Sequence, residues 1–271
     1  MTTPRHPIHP PTGNQQVYET TDVVHHYVDG GAKLKPAEEA ILRLLEARLR
    51  GCCLLDLGVG AGRTTPHLLA VSSDYLGVDY SAEMVAACRR KYPGVNFREG
   101  DARQLKELGR GKFDFIFFSF NGLDSIDGTG RAQVLREVHA ALKTGGCFLF
   151  SSHNLRLPPA RPWHPALYHW SRNPRTLFRQ ARGLVRGLQN YWRNAGAQSY
   201  GEGCAIFVDS GHEFRLLHYY VEPAEQVRQL ALAGFSDIET FDRQGQSRTL
   251  EAAELGRTPH VHYLARKPGP A

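Results

Sequence analysis

The sequence predicts an α/β protein built around a mostly parallel sheet. Three observations carry this. Strand-like apolar runs alternate with helix-like segments from residue 52 to residue 152. A glycine-rich loop follows the first strand. Acidic residues stand at the ends of the first three strands, where ligands of open parallel sheets bind.

The elements follow in order. "PAEEAILRLLEARL" (36–49) places apolar residues at 41, 44, 45 and 49, a helical spacing. "CCLLDLG" is a strand, and a helix runs from Arg63 to about Ala70. "YLGVD" is a strand, and "SAEMVAACRRKY" is a helix with Ser81 as its N-cap. "VNFREGD" is a strand with a short helix after it, and "FDFIFFSF" is a buried strand. "RAQVLREVHAALKTGG" is a helix closed by Gly145, and "CFLFSS" is the next strand. From residue 155 the rhythm breaks into the Pro-rich "LRLPPARPWHP". "NPRTLFRQARGLVRGLQNYWR" is a helix with Asn173 as N-cap and Pro174 at its first position. "CAIFVDSGHEFRLLHYYV" reads as two strands with a turn near Ser210–His212. The helix "PAEQVRQLALAGF" and the strands "SDIETFD" and "HVHYLAR" close the chain. No helix need separate those last strands, so the sheet can end antiparallel.

A chain of 271 residues suffices for one large α/β domain or two small ones. No apolar run approaches the roughly 18–20 residues of a membrane span. The start lacks a signal-peptide core, and its four prolines suggest a disordered leader over 1–16. A soluble, cytoplasmic protein is expected. Cys52, Cys53, Cys88, Cys147 and Cys204 show no CxxC spacing and read as buried free thiols, so no disulfide and no metal is expected.

The loop "LLDLGVGAGRTT" (54–65) spaces Gly58, Gly60 and Gly62 as GxGxG. A dinucleotide fingerprint, GxGxxG, would need glycine where Arg63 stands. Asp56 would repel a pyrophosphate but suits an ammonium group. Asp79 ends the second strand, where an acid accepts from ribose hydroxyls. Asp101, in "EGDA", stands where a carboxylate accepts from an adenine amino group. Three such acids fit a ligand with an amine, a ribose and an adenine better than one rich in phosphate.

The set "LLDLGVGAG", "GVDYSAEMV", "EGDA", "FDFIFFSFNGL" and "LKTGGCFLFSSHN" resembles the class I S-adenosylmethionine-dependent methyltransferases in order and spacing. The resemblance covers about 50–154 and the final helix–strand–strand. It implies a Rossmann-like, seven-stranded, mostly parallel sheet with an antiparallel last strand. S-adenosylmethionine is the implied cofactor. Asp56 and the glycine loop would meet its methionine portion, Asp79 its ribose, and Tyr80 and Met84 its adenine faces. Asp101 and the Ala102 backbone would read the adenine edge. Ser119 and Phe120 would lie near the amine and sulfonium, and Arg63 is a candidate for the cofactor carboxylate. Tyr27 is a candidate for closing this site from the N-terminal side.

Methyl transfer is an in-line displacement in which positioning matters most. An amine acceptor needs no strong base, whereas a hydroxyl does. His153, closing the fifth strand, is the first candidate base; His212 and His218 are the second. Asn121, Asp124, His218 and Tyr219 are candidates for substrate contacts. Tyr219 and Tyr220 point to opposite faces of a strand, so at most one reaches the pocket.

Residues 155–201 carry eight arginines and no Lys, Asp or Glu, a charge of +8 against +6 for the whole chain. All three tryptophans lie there. Arg175, Arg179, Arg182 and Arg186 share one face of the helix, with Leu177, Phe178, Ala181, Leu184, Val185 and Leu188 on another. Four readings stand: a plain surface helix, a lid that attracts an anionic substrate, a membrane-surface contact, and an RNA contact. DNA is not an expected partner, and RNA is disfavoured because no RNA-binding module is appended.

The expected organisation is a leader (1–16), an N-terminal helical cap (17–50), a cofactor-binding core (51–154), an inserted helical and β-hairpin substrate lid (155–221) and a C-terminal helix with two strands (222–271). The expected activity is methylation at oxygen or nitrogen of a small molecule, with an anionic or sugar-like acceptor among those expected, since the stretch from "DSGHEF" to "ALAGF" resembles bacterial methyltransferases acting on sugars or other metabolites. An RNA methyltransferase, a nicotinamide-dependent oxidoreductase and a cofactor-binding module without catalysis are the alternatives.

Overall fold

The structure is a computed structural model that describes residues 13–20, 22, 23, 27, 28, 30–167 and 171–269. The first element is α1 (Gly13–Tyr18), followed by α2 (Pro36–Leu49). The alternating region comprises β1 (Leu54–Leu57), α3 (Thr65–Leu69), β2 (Tyr75–Asp79), α4 (Ala82–Lys91), β3 (Phe97–Glu99), β4 (Phe113–Phe118), α5 (Gly128–Ala141) and β5 (Leu142–Asn154). Then come α6 (Pro174–Asn194), β6 (Ser199–Gly201), β7 (Cys204–Val208) and β8 (Leu217–Val221). The chain closes with α7 (Pro223–Leu232), β9 (Ser236–Phe241), β10 (Ser247–Arg248), α8 (Ala253–Gly256) and β11 (His260–Arg266).

The sheet runs β10-β9-β11-β5-β4-β1-β2-β3. Strands β1 to β5 pair in parallel, and β11 is antiparallel to both β5 and β9. Among the described residues the sheet holds eleven strands rather than the expected seven. The reason lies at the end of β5. That strand outruns β4, and β8 pairs with its last two residues, His153 and Asn154, bringing β7 and β6 into the same sheet. The two-residue β10 and the short α8 also separate β9 from β11, where direct succession was expected.

Burial on both faces explains the apolar strands. Phe115 and Phe117 pack with Ile41 and Leu45 of α2 and Val85 of α4. Ile116 and Phe118 pack on the other face with Val134, Leu135 and Val138 of α5. Each such side chain contributes roughly 1.5–3 kcal/mol by leaving water. Ser81 caps α4 by accepting from the Met84 N–H, and Asn173 caps α6 by accepting from the Arg175 and Thr176 N–H groups, as their positions predict.

Two boundaries differ from expectation. Gly145 does not close a helix: α5 ends at Ala141, and Gly145, at φ +76°, lies among the first residues of β5. Residues 13–16, expected within the leader, instead open α1 at Gly13; residues 1–12 lie outside the described residues. A specific tether holds α1 in place. The Asn14 amide donates to the carbonyls of Leu217 and Ser125, and its oxygen accepts from the Leu217 N–H. No helix among the described residues is long and apolar enough to cross a membrane.

Candidate functional site

Two adjoining cavities open at the carboxyl ends of the parallel strands. The first, about 840 Å³, is lined by Gly58, Gly60, Asp79, Tyr80, Met84, Asp101 and Ala102. The second, about 1380 Å³, is lined by Arg63, Asn121, His153, Asp209, His212, His218, Tyr220 and His260. Tyr18, Tyr27, Gly58, Gly60, Ser119 and Phe120 line both, so the two spaces meet there.

The β1–α3 loop builds the wall of the first cavity. Gly58 has φ +59°, and a Cβ there would sit 2.5 Å from the Phe118 ring. Gly60 has φ +55° with open space where a Cβ would go. The Gly60 N–H donates to Asp79 Oδ2 at 2.8 Å, and the Ser81 N–H donates to Asp79 Oδ1 at 3.0 Å. The Asp79 carboxylate is therefore fixed at the mouth of β2 with acceptor capacity left on both oxygens. Burial raises its pKa, opposed by those backbone donors. Asp101 faces the same cavity. Burial raises its pKa, but the Arg103 side chain and backbone N–H hold it below the usual carboxylate value.

Three residues expected at the cofactor take other positions. Asp56 lines neither cavity. It is fully buried beneath the loop, and its Oδ2 accepts from Thr64 Oγ1 (2.6 Å) and Tyr75 OH (3.0 Å). Burial pushes its pKa up to about 7 against those donors. Asp56 thus braces the loop from behind. Gly62 also lines neither cavity; at φ +77° it packs where a Cβ would meet the Tyr92 ring at 2.6 Å. Arg63 faces the second cavity rather than the first, and both its terminal nitrogens are engaged by Glu38 at 2.6 and 2.8 Å. Glu38 is almost wholly buried, so the pair is a fixed strut between α2 and the loop.

The second cavity centres on His153. Its Nδ1 and its backbone N–H both lie 2.7 Å from Asp124 Oδ2. Asp124 also receives Ser152 Oγ and the buried Arg131. Burial raises the Asp124 pKa, but Arg131 and His153 more than offset it, and the group stays below its usual range. Being buried and fully engaged, Asp124 lines neither cavity, contrary to its expected role in binding substrate. It orients the His153 ring and leaves Nε2 for the cavity. Asn121, in the left-handed conformation at φ +56°, does line this cavity, and its Oδ1 has no hydrogen-bond partner among the described residues.

Strand pairing assembles the rest. His153 stands opposite His260 on one side and Tyr220 on the other, and their rings approach to 4.8 and 4.6 Å. His218, two residues before Tyr220, shares its face and stacks on His153 at 5.1 Å. Tyr219 points the other way, against Arg131 and Gln229, and lines neither cavity. The alternation along β8 therefore assigns to Tyr220 the place expected for Tyr219. Tyr220 OH donates to Asp209 Oδ2, and His218 Nδ1 lies 3.7 Å from the same oxygen. Burial would raise the Asp209 pKa, but His218 and Tyr220 hold it far below the usual carboxylate value. His218 Nε2 meets Tyr18 OH at 3.3 Å. His212 sits in a left-handed turn at φ +49°, with its ring 6.0 Å from Tyr27 and 6.3 Å from Tyr18. Arg175, Arg179, Arg182 and Arg186 of α6 line neither cavity.

Sequence reasoning did not find Tyr18, Glu38, Asp209 or His260, and of the two β8 tyrosines it chose Tyr219 rather than Tyr220. The alternation from His218 was a usable signal for Tyr220. The others depend on pairings between distant segments.

A family described as "Methyltransferase domain" matches residues 54–146. An arsenite methyltransferase of Aquipseudomonas alcaligenes is 37% identical over 119 residues, 39% of this chain and 34% of that protein. The chain spans a third to a half of the length of the curated relatives it matches. A crystal structure of an S-adenosylmethionine-dependent methyltransferase from Mesorhizobium loti superposes with a TM-score of 0.57 at 21% identity, covering 88% of this chain and 99% of that one. A Burkholderia thailandensis 1,6-didemethyltoxoflavin-N1-methyltransferase, crystallised with its substrate and S-adenosylhomocysteine, superposes with a TM-score of 0.56 at 17% identity, covering 97% and 94%. These two likenesses concern the fold.

Proposed function

We propose that the protein, whose residues 54–146 match a methyltransferase-domain family, transfers a methyl group from S-adenosylmethionine to an oxygen or nitrogen of a small molecule. The observation that carries the reading is the junction of the two cavities at Ser119 and Phe120, with His153 in the second. The first cavity fits the cofactor: Gly60 leaves open space, Asp79 is aimed by two backbone donors, and Met84 and Tyr80 offer apolar surface to an adenine. When bound, S-adenosylmethionine supplies a methyl group on a positively charged sulfur.

The chain's own residues do the rest. Asp79 accepts hydrogen bonds from ribose hydroxyls. Asp101 and the Ala102 backbone read the adenine edge. Ser119 and Phe120 mark the border across which the acceptor approaches. His153, held by Asp124, takes the acceptor proton at Nε2 as the new bond forms. Lys33 and Lys35 line the acceptor cavity and favour an anionic metabolite. Residues 155–221 cover the acceptor side through β8 and the turn carrying His212. The protein acts in the cytoplasm on small molecules, without a nucleic-acid partner.

The test uses cofactor carrying a labelled methyl group and a panel of small polar metabolites. Label should appear in one of them, and where the acceptor is a hydroxyl His153→Ala should sharply reduce it. Label found only on RNA or protein would overturn the reading.

A second reading has one observation behind it. Ligand-capable atoms of His153, Asp209 and His218 lie within 4.8 Å of one another. One ring nitrogen of each histidine is already engaged, by Asp124 and by Tyr18, an arrangement that commonly orients imidazole ligands. A divalent cation held there would acidify an acceptor hydroxyl in place of His153.

A further inference from the structure

Helix α6 is 21 residues long, and only Gly187 and Tyr191 of it are buried. Its docked face is easily identified. A Cβ on Gly187 would meet the Phe214 ring at 3.2 Å, Tyr191 packs edge-on against Phe214, and Asn190 and Asn194 donate to the carbonyls of Glu213 and Phe214. That face explains the helix's attachment but not its apolar residues.

Those residues lie elsewhere. Phe178, Val185 and Trp192 recur every seven residues, two turns apart, and so form one line along the helix. They are 66%, 52% and 67% exposed. Trp163, half exposed, stacks on Trp192 at 6.3 Å and widens the strip. Beside the strip runs a row of arginines: 175, 179, 182, 186 and 193. Arg186 pairs with Glu213, whereas Arg175, Arg179 and Arg193 have no acidic partner among the described residues.

We propose that this face is a docking surface for a membrane carrying anionic lipid, with α6 lying in the plane of the interface. The observations favour this occupant over others. An in-plane helix combines an apolar strip with a strongly basic flank, and its aromatic residues sit at headgroup level. An RNA partner would use the arginines but leave Val185 and Phe178 unexplained. A second copy of the chain would bring two all-basic flanks together. Anionic headgroups complement a segment that has eight arginines and no acid between residues 155 and 201. The site stands apart from both cavities, and this inference does not rest on the proposed activity.

The test is flotation of the full chain with two kinds of vesicle, phosphatidylcholine alone and phosphatidylcholine mixed with phosphatidylglycerol. The protein should float with the second at least tenfold more than with the first, and raised salt should release it. Phe178→Glu with Trp192→Glu should abolish flotation, and Arg175→Glu with Arg179→Glu should weaken it at least tenfold. The far-ultraviolet circular dichroism and melting temperature of each variant serve as the folding control. Failure to float with either vesicle would overturn the proposal, as would flotation indifferent to the four substitutions. Dimerisation that Trp192→Glu breaks, without flotation, would also overturn it and make the face an interface between copies.

Discussion

His153 Nδ1 lies 2.7 Å from Asp124 Oδ2, inside the carboxyl end of β5. The same carboxylate oxygen accepts the His153 backbone N–H, so ring and main chain are fixed by one acid. Asp124 is in turn neutralised by Arg131, which is buried and also donates to Gln226. A buried chain of charges thus ends in one imidazole nitrogen left for the cavity.

This arrangement sets the first prediction. General-base assistance contributes typically 10²–10⁴-fold. His153→Ala should lower kcat by that order for a hydroxyl acceptor while S-adenosylhomocysteine still binds. Asp124→Asn should act through the fold as well. It leaves Arg131 buried without its counter-charge, which costs about 3–5 kcal/mol. Titration calorimetry and thermal melting of the two variants separate the roles. Equal kcat in wild type and His153→Ala would remove His153 from the mechanism.

The β8 alternation gives the second. Tyr220→Phe removes a hydroxyl bonded to Asp209 inside the cavity and should change kcat/KM. Tyr219→Phe removes a bond to Gln229 on the far face and should change stability by about 1 kcal/mol at most, with kinetics intact. The reverse pattern in steady-state kinetics would mean that β8 presents its other face.

Asp56 gives a pH prediction. Its folded pKa of about 7 exceeds the ordinary carboxylate value near 4. The folded protein therefore holds a proton between those values that the unfolded chain has released. The stabilisation is complete below about pH 4 and is lost as pH rises toward 7. Asp56→Asn keeps acceptor capacity for Thr64 and Tyr75 without the ionisation. The melting temperature of wild type relative to Asp56→Asn should fall from pH 4 to pH 7 and stay level above. A constant difference across that range would contradict the burial assigned to Asp56.

Cation removal separates the two readings of the His153 cluster. If His153 is the base, a chelator leaves turnover unchanged and added divalent ions do not raise it. Loss of activity in chelator, restored by one divalent ion and abolished by His218→Ala, would establish the cation instead.

Much of this was legible in the sequence because it is local. The glycine loop, Asp79, Met84 and Asp101 are read from spacing along one strand–loop–helix unit, and the structure places all but Gly62 of that set at the first cavity. What failed was direction. Asp56 stands two residues before Gly58, but the β1 pleat and the Thr64 and Tyr75 hydroxyls turn its carboxylate under the loop. Arg63 was legible as a charge near the cofactor, yet its partner Glu38 comes from a helix 25 residues earlier. His260 and Tyr220 reach His153 only through the order of strands around β5, which local pattern does not encode. Asn14, in a segment whose composition suggests disorder, is fixed by bonds to residues 125 and 217.

The central claim is that the first cavity holds the cofactor through Asp79. Calorimetric titration of S-adenosylhomocysteine into wild type and Asp79→Ala tests it most directly. Hydrogen bonds to a charged acceptor contribute roughly 1.5–3 kcal/mol each. Wild type should bind S-adenosylhomocysteine, and a folded Asp79→Ala should bind at least tenfold more weakly. A folded wild type that binds no S-adenosylhomocysteine, or a variant that binds as tightly, would contradict the claim.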